Sequence, residues 1–260
     1  MIFRRIKAHI AKEDWFAVFI DFIIVVFGVF MGFQVNNWND ARVVDRKSAV
    51  VSERLKSDLQ IEAWNYKYTV EYYEDVQSSG YRALNALTGK AELSDEALLI
   101  NAYRATQYLV NARSRLTFDE LLSTGAIDLL RDENLRQTAH WIYNAPVFDQ
   151  ITFERDNQKY RSLFRMLVPL DIQDKLLEKC GDREVAVGNF ENIVNSLDYP
   201  CETGIAPEFV KETARILRSD PSMIPLLRLR MADVKSSLAN LTVYNRVAVD
   251  DLLTIEKATQ

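Results

Sequence analysis

One apolar stretch near the N-terminus constrains this chain more than any other feature. From Trp15 to Val35 the sequence reads WFAVFIDFIIVVFGVFMGFQV, and it is apolar except for Asp21 and Gln34. A helix of about 20 apolar residues crosses the roughly 30 Å hydrocarbon core of a bilayer. Trp15 and Trp38 flank the run, and tryptophan favours the membrane–water interface. We therefore predict a membrane-spanning helix over residues 15–35, with most of the chain on one side.

A cleaved signal peptide is the main alternative interpretation of this run. Signal peptides have an apolar region of about 7–15 residues, followed by a cleavage site of small residues. Here the run is longer, and it ends in FQVNNW without an Ala-x-Ala pattern. The sequence therefore favours a retained signal anchor.

The charges on the two sides of the span give a small preference for one orientation. Lys and Arg near the span are retained on the cytoplasmic side. The cations before the span are Arg4, Arg5, Lys7 and Lys12, and those after it are Arg42, Arg46 and Lys47. Residues 1–14 also read as a basic amphipathic helix, which suits the anionic cytoplasmic leaflet; its apolar arc is Ile2, Phe3, Ile6 and Ile10. We predict a cytoplasmic N-terminus over 1–14, a membrane span over 15–35, and an exported domain over 36–260.

The cysteine content agrees with export. Cys180 and Cys201 are the two cysteines of the chain, and Gly181, Gly188 and Pro200 lie beside or between them. An even number of cysteines in an exported domain predicts a disulfide, which contributes about 3 kcal/mol through loop closure. We predict a loop over residues 180–206 that this bond closes. Two unrelated thiols are the alternative.

Composition indicates an all-α fold that does not bind nucleic acid. The chain has only 8 Gly and 6 Pro in 260 residues, while charged residues make up 27%. Such a composition favours helices over strands and turns. The formal net charge is −5, whereas nucleic-acid binding needs basic surfaces that replace phosphate counterions.

Apolar periodicity predicts a long first and a long last helix beyond the span. The first carries apolar residues at spacings of three, four or seven: Val44, Val51, Leu55, Leu59, Ala63, Tyr66, Val70 and Tyr73. No Pro or Gly lies between Gly32 and Gly80, so this helix can leave the membrane without a break. The last carries Leu227, Met231, Val234, Leu238, Leu241, Val247 and Leu252. We predict an antiparallel bundle in which the two lie side by side as a stalk, with residues 36–80 as its first helix.

Capping signals predict shorter helices in between. Ser94 is placed to cap a helix that runs to about Val110. A capping box of Thr117 and Glu120, with a hydrophobic staple of Leu116 and Leu121, opens a helix that ends at Gly125. Others are predicted from Asp132 to about Pro146, Phe148 to Leu167, Pro169 to Lys179 and Pro207 to Arg218, and Asp220-Pro221 opens the last helix.

Two short stretches resemble a known but uncharacterised family of bacterial single-pass inner-membrane proteins. The first is Gly28-x-x-x-Gly32-x-Gln34-x-Asn36-Asn37-Trp38-Asn39-Asp40, with an acidic residue inside the span. The second runs from Phe118 through Glu120, Leu121 and Thr124 to Gly125, and is similar to a Phe-Glu-Glu-Leu-x-Ser-x-Gly stretch. This chain has Asp21 where the family usually carries Glu, and Thr124 where Ser is common. The resemblance implies an anchor and a helical domain, but no activity and no site residues.

The sequence offers no pattern of residues for catalysis or for a metal. A di-iron bundle needs Glu-x-x-His pairs, but Gln137 stands three residues before His140, and His9 is the only other histidine. Zinc-protease, nucleophile-elbow, phosphate-loop and dinucleotide-binding patterns do not occur. Cys180 and Cys201 have no neighbouring histidine and make a poor zinc site. We therefore predict a protein that is not an enzyme and has no metal and no cofactor.

Aromatic residues are concentrated on the first long helix. They are Trp64, Tyr66, Tyr68, Tyr72, Tyr73 and Tyr81. Aromatic rings with a polar tip suit a small-ligand pocket or an interface. They equally suit the core of a bundle, and we favour the core.

Asp21 lies on one stripe of the span with small residues. At about 100° per residue, Gly28 and Gly32 fall within roughly 20° of Asp21, and Asn39 returns to it. A carboxylate in a span usually faces a partner, and small residues let helices approach closely. The stripe predicts helix association in the membrane. A tolerated carboxylate near the interface and chance glycines are the alternative.

These observations favour a non-enzymatic interaction or accessory protein. It would hold a membrane-protein partner or a second copy of itself through the span and stalk. The alternative is a periplasmic sensor or solute-binding bundle, which would need a partner to signal because residues 1–14 are too short for an output domain. An enzyme is disfavoured by the missing motifs.

Overall fold

A single 73-residue helix, α1 (Trp15–Leu87), is the axis to which the other elements attach. The computed structural model describes residues 15–109, 113–145, 159–194 and 196–244, with Asp250 and Thr254. Within these residues seven further helices follow and no β-strand occurs, which confirms the all-α prediction. They are α2 (Asp95–Arg104), α3 (Leu116–Ser123), α4 (Glu133–Asn144), α5 (Lys159–Leu167), α6 (Leu170–Cys180), α7 (Pro207–Ser219) and α8 (Met223–Ala239).

The exposure of α1 changes along its length of about 110 Å. All described side chains from Trp15 to Lys47 are exposed, and one helical window there has a mean hydropathy of 2.4 with none of it buried. This part is long and apolar enough to cross a membrane. Burial begins at Ser48 and becomes regular from Leu55. The prediction of an unbroken helix is confirmed. α1 runs past its predicted end near residue 80 and ends at Leu87.

The helix α8 packs antiparallel against the distal half of α1. Met231 lies against Gly80, where a Cβ atom would collide with the thioether, so glycine permits the close approach. Leu241 lies ten residues after Met231, and its carbonyl accepts from the Tyr66 hydroxyl of α1 at 3.5 Å. The predicted pairing of the first and last helices is therefore present in this part. After α8 a π-helical turn covers Asn240–Tyr244, and the predicted course towards the C-terminus lies outside the described residues except at Asp250 and Thr254.

The aromatic residues of α1 form part of the core. Trp64, Tyr66, Tyr68, Tyr72 and Tyr73 are buried. The rings of Trp64, Tyr68, Tyr72 and Tyr73 contact one another in that order along the helix. Tyr81 differs, because it is 39% exposed. The core interpretation of this aromatic run holds for every member except Tyr81.

The end of α2 differs from the prediction. Ser94 caps its start as expected, since its hydroxyl accepts from the Ala97 amide at 3.1 Å. The helix ends at Arg104 and not near Val110. Its last carbonyls and the turn after it are captured by side chains from α5 and α8. Tyr160 donates to Ala102, Arg161 to Thr106 and Arg230 to Gln107.

The predicted capping box of α3 is wrong. Thr117 is buried inside the helix, and its amide donates to the Asp58 carboxylate of α1 at 3.0 Å. Leu116 is 81% exposed, so it cannot form the staple. The predicted end is correct, because Gly125 follows the helix with a φ of 66°.

The remaining boundaries are close to the predictions. Asp132 caps α4 through the Leu135 amide, and Pro169 separates α5 from α6. The predicted start of α5 falls in residues 146–158, outside the described part. α7 begins at Pro207 as predicted, whereas Asp220 closes the turn before α8 by accepting from Ser222 and does not cap α8 itself.

Candidate interaction surface

The four residues of the predicted stripe all lie on the uncovered part of α1. Asp21, Gly28, Gly32 and Asn39 are exposed in the structure. A Cβ atom added at Gly28 or at Gly32 would meet nothing within 4 Å. Within the described residues, therefore, no other element occupies the space beside these two glycines.

The described part of the chain leaves the same face of α1 uncovered beyond the span. Counting about 100° per residue from Asp21, Arg46, Val50 and Ser57 return to within roughly 20° of it. All three are exposed. The side that packs on the domain is the opposite one, where Ser48, Leu55 and Leu59 are buried at about 160–200° from Asp21. We call the exposed face of α1 from Asp21 to Ser57 the α1 face.

The family-like residues at the end of the span and just after it are exposed on α1 as well. They are Gln34, Asn36, Asn37 and Trp38. The Asn36 side-chain amide donates to the Asp40 carboxylate at 3.1 Å, and the Arg42 guanidinium stacks on the Trp38 ring at 3.7 Å. These contacts join residues one turn apart, and Gln34 and Asn37 are exposed beside them.

The second family-like stretch is an attachment point on α1. Phe118 and Leu121 are buried, and the Phe118 ring stacks on Tyr143 of α4 at 4.9 Å. Glu120 forms an ion pair with Arg54 of α1 at 2.6 Å. These contacts, and the position of Gly125 at the helix end, explain Phe118, Glu120, Leu121 and Gly125 by their roles in the fold. They do not bring Phe118, Glu120 or Leu121 together with the glycines of the span.

A buried ionic network beside this stretch has no signal in the local sequence. Glu62 is 3% exposed and accepts from the Arg113 guanidinium and from the Ser114 amide, both at 2.6 Å. Arg113 also donates to the Ile142 carbonyl at the end of α4. The partners lie more than 50 positions apart in sequence. The only clue is that Glu62 falls on the apolar side of α1, between Leu59 and Ala63.

Cys180 and Cys201 form a disulfide, with their Cα atoms 5.5 Å apart. The bond closes residues 181–200, which we call the strap. The strap packs on α1: Trp64 donates to the Asn189 carbonyl, and Tyr72 donates to the Asp182 carboxylate at 2.9 Å. The predicted loop is therefore ordered against the core by side chains of α1.

Arg104, at the end of α2, fastens the strap close to the disulfide. Its side chain is 4% exposed and donates to the carbonyls of Cys180 and Tyr199. Its guanidinium also pairs with Asp198 at 3.3 Å. Burial lowers the pKa of Arg104, and the nearby Asp198 carboxylate opposes that shift.

Asp75 of α1 provides the matching acidic contact. Its carboxylate accepts from the backbone amides of Leu197 and Asp198, at 3.3 and 3.0 Å. Burial raises the pKa of Asp75, the two amides oppose the shift, and the neighbouring Asp198 adds to it. The arrangement orients a loop; it places no nucleophile beside a base.

No group of three or more His, Cys, Asp and Glu side chains able to hold a metal occurs within the described residues. His140 lines a small depression of about 210 Å³ with Phe118, Leu122 and Arg136. A larger groove of about 500 Å³ runs between the start of α2 and α7. It is lined by charged residues, among them Asp95, Glu208, Lys211 and Arg215.

Comparison with known proteins adds no assignment to this geometry. No family model, no curated protein and no solved structure matches the chain.

Proposed function

We propose that this protein is a non-enzymatic, membrane-anchored interaction or accessory subunit. It associates through the α1 face with a membrane-protein partner or with a second copy of itself. The observation that carries the proposal is the continuity of that face. Among the described residues, one side of α1 stays uncovered over about 54 Å, from Asp21 to Ser57. From Ser48 onward the opposite side holds the domain.

The chemistry of the span supports association within the membrane. Lipid tails give helices no hydrophobic reason to associate, so close packing and interhelical hydrogen bonds drive it. Gly28 and Gly32 leave open space for a second backbone. Asp21 is costly in lipid, by about 2.5–3.5 kcal/mol at the centre, unless a partner group satisfies it.

We further propose an inner-membrane location with a cytoplasmic N-terminus and a periplasmic domain. The disulfide supports export, because disulfides persist in oxidising compartments. A reporter that is active only in the periplasm should be active when fused after Gln260 and inactive when fused before Met1. The opposite pattern would reverse the orientation.

The resemblance to the uncharacterised single-pass family is part of this proposal. It rests on the anchor stretch around Gln34 to Trp38 and on the stretch around Phe118 to Gly125. Such membership would agree with an anchor plus a helical domain, and it would assign no activity.

The alternative is a sensor or solute-binding domain, and the groove between α2 and α7 favours it. Its volume of about 500 Å³ lies in the range of small-molecule sites, which is roughly 300–1,000 Å³. Its lining is mostly charged and open, whereas such sites are mainly apolar and enclosed. We therefore rank this function second.

The test of the leading proposal is association of the full chain after mild detergent extraction. Gly28→Leu and Gly32→Leu should each abolish a detergent-resistant complex, because bulky side chains separate the backbones. Val29→Leu, away from the stripe, is the matched control and should leave the complex intact. Complexes that survive both glycine substitutions would restrict the span to anchoring, and the sensor function would gain support.

Asp21→Leu distinguishes the two kinds of partner. A hetero-complex whose partner supplies a cation or a hydrogen-bond donor should weaken. A homodimer should strengthen instead, because two carboxylates would no longer lie close together at low dielectric.

A further inference from the structure

We propose that the cations where α1 leaves the span bind the headgroups of anionic phospholipids in the leaflet on the domain's side. These residues are Arg42, Arg46 and Lys47, and we call them the basic collar. The inference rests on the membrane anchoring in the proposed function, but not on the association of α1 with a partner.

The stacking of Arg42 on Trp38 aims its charge at the membrane. Side chains on a helix lean towards its N-terminus, which for α1 is the direction of the span. The Arg42 guanidinium lies 3.7 Å from the Trp38 ring, one turn closer to the span than its own Cα atom. Trp38 follows the end of the apolar run by three residues, or about 4.5 Å of helix. The guanidinium is thereby placed at the level where lipid phosphates lie.

Arg46 and Lys47 carry charges that the described part of the chain leaves uncompensated. Both are exposed, and neither forms a hydrogen bond or an ion pair with a described residue. Of the nearest acids on α1, Asp45 pairs with Arg131 at 2.5 Å. Asp40 accepts from the neutral Asn36 amide and keeps its charge, so the three collar cations exceed the unpaired acids by two charges.

The heights of the collar residues fit this assignment. Arg42 and Arg46 follow Val35 by seven and eleven residues, so their Cα atoms lie about 10 and 16 Å beyond the hydrocarbon edge. The headgroup layer is roughly 6 Å deep on each side. Side chains that lean towards the N-terminus of α1 cover most of the distance from these Cα atoms to the headgroups. The remaining gap is shorter than the electrostatic screening length of about 8 Å.

The charge of the whole protein strengthens the effect. The formal net charge is −5, so an anionic surface attracts the collar and repels the rest of the chain. Such a balance favours a domain that stands away from the bilayer on α1.

The experiment reconstitutes the full chain in nanodiscs of phosphatidylcholine containing about one third phosphatidylglycerol. The phosphatidylglycerol retained after detergent washing is then measured by mass spectrometry. The collar variant Arg42→Gln/Arg46→Gln/Lys47→Gln is compared with Lys90→Gln/Lys211→Gln/Lys235→Gln. The control removes the same charge from three exposed lysines of the distal domain.

We expect the parent and the control to retain phosphatidylglycerol over phosphatidylcholine, and the preference to fall at high salt. The collar variant should lose at least ten-fold of the preference, since each cation near an anionic surface contributes about five-fold. Arg42→Lys should retain part of it, because the charge remains while the stacked geometry is lost. Equal lipid retention by parent and collar variant, or an equal loss in the control, overturns the proposal. Arg46 also lies on the α1 face, so complex formation is measured separately for Arg42→Gln/Lys47→Gln, which leaves that face unchanged. The collar can then fail while the proposed association stands.

Discussion

Asp75 shows how single residues hold the strap on α1. Its carboxylate binds two backbone amides, but burial and Asp198 raise its pKa above the ordinary 3.8. Because the pKa is higher in the folded state, proton binding to Asp75 stabilises the fold fully at pH values below the unfolded-state pKa. That contribution is lost as the pH rises through the folded-state pKa. The ionised form of Asp75 is therefore the costly one in the folded state.

Asp75→Asn should remove this pH dependence. The amide oxygen of asparagine still accepts from Leu197 and Asp198, and the charge beside Asp198 is gone. We expect the variant to gain free energy of unfolding relative to the parent as the pH rises above the ordinary carboxyl pKa of 3.8. Urea unfolding of the full chain in detergent, followed by circular dichroism, measures the difference. Glu202→Gln, at an exposed acid, is the control, and a loss for Asp75→Asn that is constant with pH would contradict the argument.

At the scale of elements, the contact of α1 and α8 depends on Gly80 and Met231. Gly80→Leu should cost about 1–3 kcal/mol by overpacking, and Met231→Ala about 2–5 kcal/mol by leaving a cavity. In the double variant the leucine enters the space that Met231 leaves. The double variant should therefore lose at least about 1 kcal/mol less than the sum of the single losses.

Met223→Ala provides the comparison for this pair. Met223 is also buried on α8 but is not the residue that faces Gly80. Its effect should add to that of Gly80→Leu. Thermal unfolding measures the coupling energy between Gly80→Leu and each methionine substitution. If the two coupling energies were equal, the close contact would lie elsewhere.

Elements whose signals are local were predictable, and those set by distant contacts were not. The unbroken α1 and the end of α3 at Gly125 follow from nearby residues. The end of α2 does not, because side chains of Tyr160, Arg161 and Arg230 set it from other helices. The start of α3 fails for the same reason, since the group that accepts from the Thr117 amide is Asp58, 59 positions earlier.

The predictability of the candidate surface divides in the same way. Helical periodicity alone places Asp21, Gly28, Gly32 and Asn39 on one stripe. The apolar periodicity of Leu55 and Leu59 indicates which side of the stalk packs on the domain. The structure adds the elements that cover this side, among them α3 and α4, and these depend on distant contacts.

At the scale of the whole molecule, α1 fixes the rotation of the domain relative to the span. Because the helix is unbroken from Trp15 to Leu87, the stripe in the membrane and the open side of the stalk keep one phase. Inserting alanines between Val43 and Val44 changes that phase before the first contact with the domain, which is the ion pair of Asp45 and Arg131. The Trp38–Arg42 stack is left intact.

The insertions separate phase from length. One alanine turns the domain by about 100° and lengthens α1 by about 1.5 Å, while seven turn it by about −20° and lengthen it by roughly 10 Å. If the α1 face acts as one surface, one or two alanines should weaken the detergent-resistant complex and seven should restore it. A complex that instead weakens steadily with length would point to a partner that spans a fixed height. Indifference to every insertion would show that the span and the stalk bind independently, because a single continuous surface cannot tolerate a quarter turn at its middle.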